Sequence, residues 1–373
     1  MVDLFFYGTL RHVPLLECVL GRSSDQLDCQ NGSLPGYGAF AVRDECFPMI
    51  SADPDGAAPG ILVRGLTPGD IDRLAFYEGG FGYDLRDVSI SLDDGTETAA
   101  QVFFPQEGLW QLGDPWSLRD WAAEWGDLTL RAAEEVMSYY GRMSAAEIAQ
   151  RFPSIRLRAA AWLAAQQRPA DPDRDIARDV VVHDYRRAYL NFFAMEEVDL
   201  QFRRHDGTMS AVMNRSAFFV GQAAVVLPYD PVRDCVLLTE QFRTPVFLSG
   251  DRAPWVWEPV AGLVDPGETP EQAAHREAME EAGLTLAALE KAGEVYSSTG
   301  SSSEYLHLYV GITALTGDGA IGGLASEGED IRSRILSYDE LMEGVDGNRY
   351  RDMPLVTTAL WLARHRDRLR AAV

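Results

Sequence analysis

The sequence predicts an α+β protein with two folded parts, and three observations lead to this prediction. The chain has 373 residues, which at roughly 150 residues per domain suggests two domains. Residues 1–105 alternate strand-like segments with turn signals, whereas residues 117–167 have helical periodicity. A proline-broken polar segment, residues 168–174, precedes a second region of strands and helices. We therefore expect an N-terminal domain at 1–125, a helical connector and linker at 126–177, and a C-terminal domain at 178–373.

The expected elements follow from apolar spacing and from turn residues. In the N-terminal part, an apolar run ends at Gly8, and the segment 88–92 alternates clearly as a strand does. Further strands are expected at 61–66 and 101–104, and helices at 132–140, 145–152 and 155–165. In the C-terminal part, we expect a hairpin of 223–228 and 236–242, a helix near 270, strands at 295–296 and 306–312, and a last helix at 356–370.

Charge and cysteine content exclude several classes of protein. There are 57 acidic and 33 basic residues, so the net charge is −24, which argues against general binding to nucleic acid or to anionic membranes. The four cysteines form no C-x-x-C pair, so neither a zinc site nor a disulfide scaffold is indicated. The N-terminus lacks the features of a signal peptide, and no apolar run reaches the roughly 18 residues of a membrane span. We expect a cytoplasmic protein.

A helix is predicted at residues 270–282 from its end signals. Thr269, followed by Pro270 and by Gln272, forms a capping box with proline at the first helical position, and Gly283 suits a left-handed C-terminal cap.

This helix places three glutamates, Glu277, Glu280 and Glu281, on one face. Carboxylates that converge in this way repel one another unless a hard cation lies among them. Arg276 lies one turn before Glu280 and is expected to hold it by a salt bridge. The alternative interpretation is a solvated acidic helix face.

The spacing around this helix resembles the signature of the Nudix hydrolases. The pattern is glycine, five residues, glutamate, seven residues, Arg-Glu, an apolar residue, any residue, Glu-Glu, any residue, glycine and an apolar residue. Here it is carried by Gly262, Glu268, Arg276, Glu277, Glu280, Glu281, Gly283 and Leu284. Only the apolar position at Ala278 is smaller than usual. The resemblance implies a Nudix α/β/α sandwich.

The resemblance extends over about residues 180–370, toward bacterial ADP-ribose pyrophosphatases. The segments that carry this extension are residues 222–234, 240–243, 258–262 and 323–331. It implies a site for Mg²⁺ or Mn²⁺, made by box carboxylates, by a carbonyl before the box and by an acidic loop after it. The implied metal ligands are the Ala261 carbonyl, Glu277, Glu280, Glu281 and Glu329, and the implied general base is Glu327. We expect the site to be accessible to solvent, so that Glu281→Gln would remove activity with little change in stability.

The same resemblance implies how a nucleotide sugar is bound. Arg243 matches a phosphate-contacting arginine, and Glu304 occupies the place of a residue that contacts the terminal ribose. Adenine stacking is expected from Arg215 and from Phe192 or Phe193, although core packing explains these aromatics equally well. The loop at 297–303 is serine-rich, where these enzymes usually carry a Ser-Pro-Gly-Gly type of sequence. GDP-mannose or another nucleotide sugar therefore remains an alternative to ADP-ribose.

A second motif opens the chain. Tyr7, Gly8, Thr9 and Leu10 follow a strand directly, and Glu78 lies about seventy residues on, ahead of a Tyr-x-x-Arg segment. Together they resemble the γ-glutamylcyclotransferase-like family over about residues 1–125. This resemblance implies a small mixed β-barrel in which the loop holds a γ-glutamyl substrate and Glu78 moves the proton. The alternatives are a plain strand-to-turn junction and a surface pair of Glu78 with Arg73 or Arg86.

The leading hypothesis is a two-domain enzyme. It joins a cyclotransferase-like barrel to a Nudix hydrolase that converts ADP-ribose to AMP and ribose 5-phosphate. The alternatives are a non-catalytic nucleotide-sugar sensor, and an active Nudix domain beside a barrel that only binds or scaffolds. We also expect a homodimer through the Nudix domain, in which residues 180–213 cross to the partner; the alternative is a strand that adds to its own sheet. The expected partner is a small nucleotide sugar, without nucleic acid or membrane.

Overall fold

The computed structural model describes residues 1–78, 83–316, 321–322 and 330–372. The chain divides into two compact units, residues 1–168 and 169–373. The first unit is a mixed barrel with helices and the second a mixed sheet with helices, as the predicted α+β class requires. No helix in the described part of the chain combines the length and the apolar character needed to cross a bilayer.

The first unit contains a closed barrel of five strands. The sheet that contains this barrel has six strands, β1 (Val2–Phe6), β2 (Asp28–Val42), β3 (Pro48–Leu66), β4 (Tyr83–Leu92), β5 (Glu97–Pro105) and the short β6 (Leu112–Pro115). The sheet order is β3-β1-β5-β4-β2-β6, and the additional pairing of β3 with β2 closes the first five strands. Because β1 pairs parallel with β5 and the other pairs are antiparallel, the barrel is mixed. Alternating apolar residues fill it, among them Phe5, Leu34, Leu62, Ile90 and Val102.

Four helices complete the first unit. They are α1 (Val13–Leu20), α2 (Pro68–Glu78), α3 (Leu118–Met137) and α4 (Ala145–Gln166). Helices α3 and α4 are joined by a buried ion pair in which Arg158 donates to Glu135 at 2.6 Å. The predicted connector, 126–177, thus contributes most of α3 and all of α4 to the first unit, and the division between the units falls after Arg168. The domain limits 1–125 and 178–373 remain predictions.

The second unit begins with a three-stranded antiparallel sheet. A short helix, α5 (Ile176–Asp179), leads into β7 (Val180–Leu190), β8 (Ala194–Phe202) and β9 (Met213–Phe219), in the order β7-β8-β9. Several of its apolar side chains are exposed, which is unusual for a sheet that is covered within its own chain. These are Val181, Val182, Tyr185, Tyr189, Phe192, Phe193, Phe202 and Phe218.

An eight-stranded sheet forms the centre of the second unit. Its strands are β10 (Gln222–Asp230), β11 (Cys235–Phe242), β12 (Trp255–Glu258), β13 (Val260–Leu263), β14 (Ala288–Tyr296), β15 (Tyr305–Ile312), β16 (Ile321–Gly322) and β17 (Ile331–Ser337). The main path is β14-β15-β10-β11-β17-β16, with β12 on β11 and β13 on β10. The predicted hairpin is present as β10 and β11.

Helices cover both faces of this sheet. The short helix α6 (Thr244–Leu248) follows β11 and has no buried residue, whereas α7 (Pro270–Ala282), α8 (Tyr338–Asp346) and α9 (Met353–Ala371) pack on the sheet. Even-numbered β10 residues, such as Val226, share a core with Ala274 and Ala278 of α7. Odd-numbered ones, such as Leu227, share a core with Leu341 of α8 and with residues of α9. This layering is the predicted α/β/α sandwich.

Candidate active sites

Helix α7 carries the box glutamates, and its ends are fixed by local hydrogen bonds. The Thr269 hydroxyl accepts from the Gln272 amide, and the Gln272 side chain accepts from the Thr269 amide at 2.8 Å, which is the predicted capping box. Gly283 ends the helix at φ 63°, a left-handed conformation that glycine adopts without strain. The phase of the helix, and so the direction of its glutamates, is set by these two ends.

Arg276 organises the carboxylates around α7. Its guanidinium donates to Glu268 at 2.9 Å, to Glu277 at 2.6 Å and to Glu280 at 3.1 Å, and it also donates to the Leu263 carbonyl. Hydrogen bonds to Glu268 are the main reason why the pKa of Arg276 is raised. Burial pushes the pKa of Glu268 upward, but the Arg276 bonds and the Asp265 amide outweigh burial and leave that pKa low. The predicted salt bridge to Glu280 is one part of a larger network.

Strand β13 packs against the face of α7 that carries Glu277 and Glu281. A Cβ built on Gly262 would lie 1.8 Å from Oε1 of Glu277, so only glycine leaves room for that carboxylate. Next to it, the Ala261 amide donates to Oε2 of Glu281 at 3.2 Å. Glu281 is only 2% exposed, because this face of α7 packs against β13. The expectation that this glutamate is accessible to solvent was therefore wrong. The structure therefore brings together Ala261, Glu277 and Glu281.

The donor set suits a hard divalent cation, although the described residues supply only part of it. Carboxylate and carbonyl oxygens are the ligands that Mg²⁺ and Mn²⁺ prefer. Within the described residues, no group of three or more acidic, histidine or cysteine side chains is arranged to hold a metal. Glu327 and Glu329, the expected base and the further ligand, lie outside the described residues. The full ligand set, including Glu280, remains a prediction.

Arg243 is held by Glu258, a glutamate for which no sequence motif indicates a role. Its guanidinium donates to both carboxylate oxygens of the buried Glu258, the shortest distance being 2.6 Å. The side chain is still 39% exposed, so part of it is accessible to an anionic ligand. Burial raises the pKa of Asp352, the N-cap of α9, to about 6, and the charges of Glu258 and Glu304 act in the same direction while Arg243 opposes them. The only sequence signal for Asp352 is its place before Met-Pro at a helix start.

Glu304 follows the serine-rich loop, and this loop is tied to β9. The Phe218 amide donates to the Ser301 carbonyl, and the Ser303 amide donates back to the Phe218 carbonyl, each at 2.9 Å. The amide of Glu304 is held by the Ser302 hydroxyl at 3.1 Å. These contacts fix the backbone at Glu304, whereas the implied contact of its side chain with ribose stays a prediction.

The residues implied for adenine stacking lie in the three-stranded sheet. Arg215 is exposed, and its recorded hydrogen bonds, to the Asn214 carbonyl and the Met213 sulfur, remain within β9. Phe192 and Phe193 lie at the turn between β7 and β8, 55% and 41% exposed, with ring centroids 4.9 Å apart. Core packing therefore does not account for these two aromatics.

The first unit contains a cavity of about 100 Å³ beside the barrel. Its walls include the whole predicted loop, Tyr7 to Leu10, and Glu78 at the end of α2. Helices α3 and α4 add a wall that no sequence motif indicated. The described lining residues are Phe5, Phe6, Tyr7, Gly8, Thr9, Leu10, Cys46, Phe47, Pro48, Tyr77, Glu78, Tyr83, Phe103, Trp121, Thr129, Ala132, Phe152 and Arg156. The structure thus brings together Glu78 and the Tyr7–Leu10 loop, the residues selected from the motif that opens the chain.

Glu78 occupies an apolar environment that alters its ionisation. Burial raises its pKa to about 7, because few polar groups replace the water that a carboxylate needs. Neither alternative partner is available among the described contacts: Arg73 donates to the Val19 carbonyl at 2.7 Å, and Arg86 lies over the Phe104 ring at 4.9 Å. A carboxyl group with this pKa is able to accept and return a proton near neutral pH.

Three tyrosines surround this carboxylate. Burial is the main reason why the pKa values of Tyr7, Tyr77 and Tyr83 are raised, and the negative charge of Glu78 adds to the shift in each case. The tyrosines therefore stay protonated, and their hydroxyls remain hydrogen-bond donors throughout the physiological range.

Comparison with known proteins gives a separate match for each unit. Residues 220–354 match the family described as NUDIX domain, and residues 4–123 match the family described as gamma-glutamyl cyclotransferase, AIG2-like. An ADP-ribose pyrophosphatase of Escherichia coli (strain K12) is 35% identical over 192 residues, which are 52% of this chain and 91% of that protein. One from Haemophilus influenzae is 33% identical over 44% of this chain and 76% of that protein. A GDP-mannose pyrophosphatase of Cronobacter sakazakii is 31% identical over 44% of this chain and 85% of that protein.

Proposed function

Because the chain belongs to the Nudix family, as a pyrophosphatase related to ADP-ribose pyrophosphatases that also carries a γ-glutamyl cyclotransferase-like domain, we propose that it hydrolyses ADP-ribose to AMP and ribose 5-phosphate. The observation that carries this proposal is the arrangement of Glu277 and Glu281 against Ala261 and Gly262. In the reaction, the oxygen of water bonds to one phosphorus atom and the bridging P–O bond breaks. Mg²⁺ or Mn²⁺ is the proposed cofactor.

The residues of the chain have distinct tasks in this reaction. A cation bound at Glu277, Glu281 and the Ala261 carbonyl would neutralise charge on the pyrophosphate and acidify the attacking water. Arg276 holds Glu277 in place by the 2.6 Å hydrogen bond, so that the carboxylate does not need to be ordered when the substrate arrives. Arg243, positioned by Glu258, offers its exposed part to a phosphate. Glu327 is the proposed general base.

A substrate panel tests this proposal directly. We expect ADP-ribose to be hydrolysed with a kcat/KM at least about tenfold above that of GDP-mannose, ADP-glucose, NADH and diadenosine polyphosphates, a difference of about 1.4 kcal/mol in transition-state binding. Activity should disappear on chelation and return with Mg²⁺ or Mn²⁺. GDP-mannose is the competing candidate because of the 31% identical relative, and a higher kcat/KM for it would overturn the choice of ADP-ribose. Binding without hydrolysis of any compound would indicate a sensor.

We also propose that the second unit forms a homodimer through its three-stranded sheet. The exposed apolar side chains of β7, β8 and β9 support this proposal, because such a surface is normally covered. Light scattering at micromolar concentration should give about twice the chain mass of 41.3 kDa. Val182→Asp, on this sheet, should shift the protein toward monomer, whereas Val232→Asp, in the turn after β10, should not. A monomeric wild-type protein would contradict the proposal.

A second activity is proposed for the first unit, which carries the cyclotransferase-like domain. The supporting observation is the position of Glu78 beside the loop of Tyr7, Gly8, Thr9 and Leu10 in one cavity. In this reaction the α-amine of a γ-glutamyl group attacks its own side-chain carbonyl, the bond to the leaving amine breaks, and 5-oxoproline forms. The attacking nitrogen loses a proton and the leaving nitrogen gains one, and Glu78 is the proposed carrier of that proton.

A further inference from the structure

The cavity of the first unit has a wall that lies outside the matched family region. That region ends at residue 123, whereas Thr129 and Ala132 of α3 and Phe152 and Arg156 of α4 face the same space as Glu78. Among the described lining residues, Glu78 and Arg156 are the two whose side chains carry charge at neutral pH. Helix α4 therefore adds a cation to a site whose other described lining residues, apart from Glu78, are uncharged.

In the part of the chain that the structure describes, Arg156 is held near an aromatic ring and not by an acidic side chain. Its guanidinium lies 5.8 Å from the ring centroid of Trp125, a cation–π distance, and in the described residues it forms no ion pair. Its charge acts on Cys46, which lines the same cavity: burial raises the pKa of that thiol, and Arg156 acts against the increase. A guanidinium that lines an apolar cavity and forms no ion pair with the described residues is a strong anchor for the anionic group of a ligand.

The volume of the cavity limits the size of the compound whose anionic group Arg156 binds. A volume of about 100 Å³ corresponds to roughly seven to ten water-sized positions, at about 10–15 Å³ each. This volume accommodates one amino acid or its cyclic derivative. The other charged wall residue, Glu78, faces the same space and suits the nitrogen of such a compound.

We propose that Arg156 binds the carboxylate of a small amino-acid-type ligand in this cavity, namely the α-carboxylate of a γ-glutamyl group and of its product 5-oxoproline. Helix α4 is then part of the binding site and contributes specificity for acids over the corresponding amides. The identity of the ligand rests on the activity proposed above for the first unit, whereas the role of Arg156 as the carboxylate anchor does not require turnover.

Equilibrium binding to the full-length protein tests this inference. Titration calorimetry with 5-oxoproline should show binding to the wild type and at least about tenfold weaker binding to Arg156→Gln, as expected for loss of a charge-assisted hydrogen bond. Arg156→Lys, which keeps the charge but loses the planar fork, should fall between them. Arg151→Gln is the matched control, because Arg151 lies on the same helix but not on the cavity wall, and it should bind as the wild type does.

The neutral amide of 5-oxoproline separates a carboxylate contact from a general effect on the cavity. We expect the amide to bind weakly and with the same affinity to the wild type and to Arg156→Gln. Three results would each overturn the inference: no binding of 5-oxoproline to the wild type, equal binding of it to Arg156→Gln, or equal affinity of the wild type for acid and amide. Binding without release of 5-oxoproline from any γ-glutamyl compound would instead remove only the proposed catalysis.

Discussion

Glu281→Gln is expected to lower kcat for ADP-ribose hydrolysis by at least about a hundredfold. The substitution keeps the shape of the side chain and an oxygen that accepts from the Ala261 amide, but it removes one negative charge from the proposed cation site. A neutral amide oxygen is a poorer ligand for Mg²⁺ than a carboxylate, so the requirement for Mg²⁺ should move to higher concentration as well.

The stability of this variant depends on the burial of Glu281. Because the side chain is 2% exposed, an unpaired amide NH₂ at this place would cost about 1–3 kcal/mol. Removal of a buried negative charge that lies on the same helix face as Glu277 acts in the opposite direction. We therefore expect a small net change in the free energy of unfolding, for a reason different from the solvent access that the sequence suggested.

Steady-state kinetics and thermal unfolding of the same preparations would check this prediction. The control is Glu271→Gln, in the first turn of α7, where the carboxylate accepts from the Tyr309 hydroxyl at 3.0 Å and is far along the helix from Glu281. The control should keep nearly full activity. Full activity of Glu281→Gln, with an unchanged Mg²⁺ requirement, would show that Glu281 is not a metal ligand.

The sequence predicted α7 and its glutamates well because the determining interactions are local. The capping box, the left-handed glycine and the Arg276–Glu280 contact all join residues within four positions of one another. The sequence does not indicate Glu258 as the partner of Arg243 or Asp352 as a nearby charge, because Glu258 comes from β12 and Asp352 from the N-cap of α9, and only the folded sheet brings them together. A local sequence pattern does not predict such a tertiary contact.

The cavity wall formed by α3 and α4 is a second feature that could not be predicted from sequence patterns. Their helical periodicity is evident in the sequence, which predicts a connector there because no motif links these helices to the first unit. What attaches them is specific tertiary contact: the buried Arg158–Glu135 pair joins α3 to α4, and the Trp121 indole donates to the Cys46 carbonyl at 2.6 Å. Such contacts depend on the exact placement of both partners, which periodicity does not determine.

Glu78→Gln is expected to abolish 5-oxoproline release from γ-glutamyl dipeptides and γ-glutamyl amines while it stabilises the first unit. Glutamine neither accepts nor returns a proton, so loss of general acid–base catalysis should cost about a hundredfold to ten-thousandfold in rate. In the wild type, the carboxylate is the base only when ionised. With a pKa of about 7, the rate should rise as pH increases from 6 to 8 and then level off.

The effect on stability follows from the same pKa. Below about pH 4.5 the carboxyl is protonated in both the folded and the unfolded chain, and Glu78 costs nothing. Between that pH and about 7, Glu78 ionises in the unfolded chain but stays protonated in the folded one, so the free energy of unfolding of the wild type falls as the pH rises. The upper limit of this loss is about 3 kcal/mol, and the expected loss is smaller because Glu78 keeps partial contact with solvent. Glu78→Gln removes this cost, so its advantage over the wild type should be absent near pH 4.5 and largest above pH 7.

Two measurements on full-length protein test these expectations together: release of 5-oxoproline at pH 6, 7 and 8, and thermal unfolding at pH 5 and 8. Glu124→Gln, at an exposed position on α3, is the control and should change neither. Equal release by the wild type and Glu78→Gln would mean that another residue moves the proton, and no release by the wild type would leave the first unit as a binding module. A difference in unfolding temperature between Glu78→Gln and the wild type that is the same at pH 5 and at pH 8 would contradict the buried, ionised carboxylate itself, because the cost of the desolvated charge is nearly absent at pH 5 and present at pH 8 whether or not the unit is catalytic.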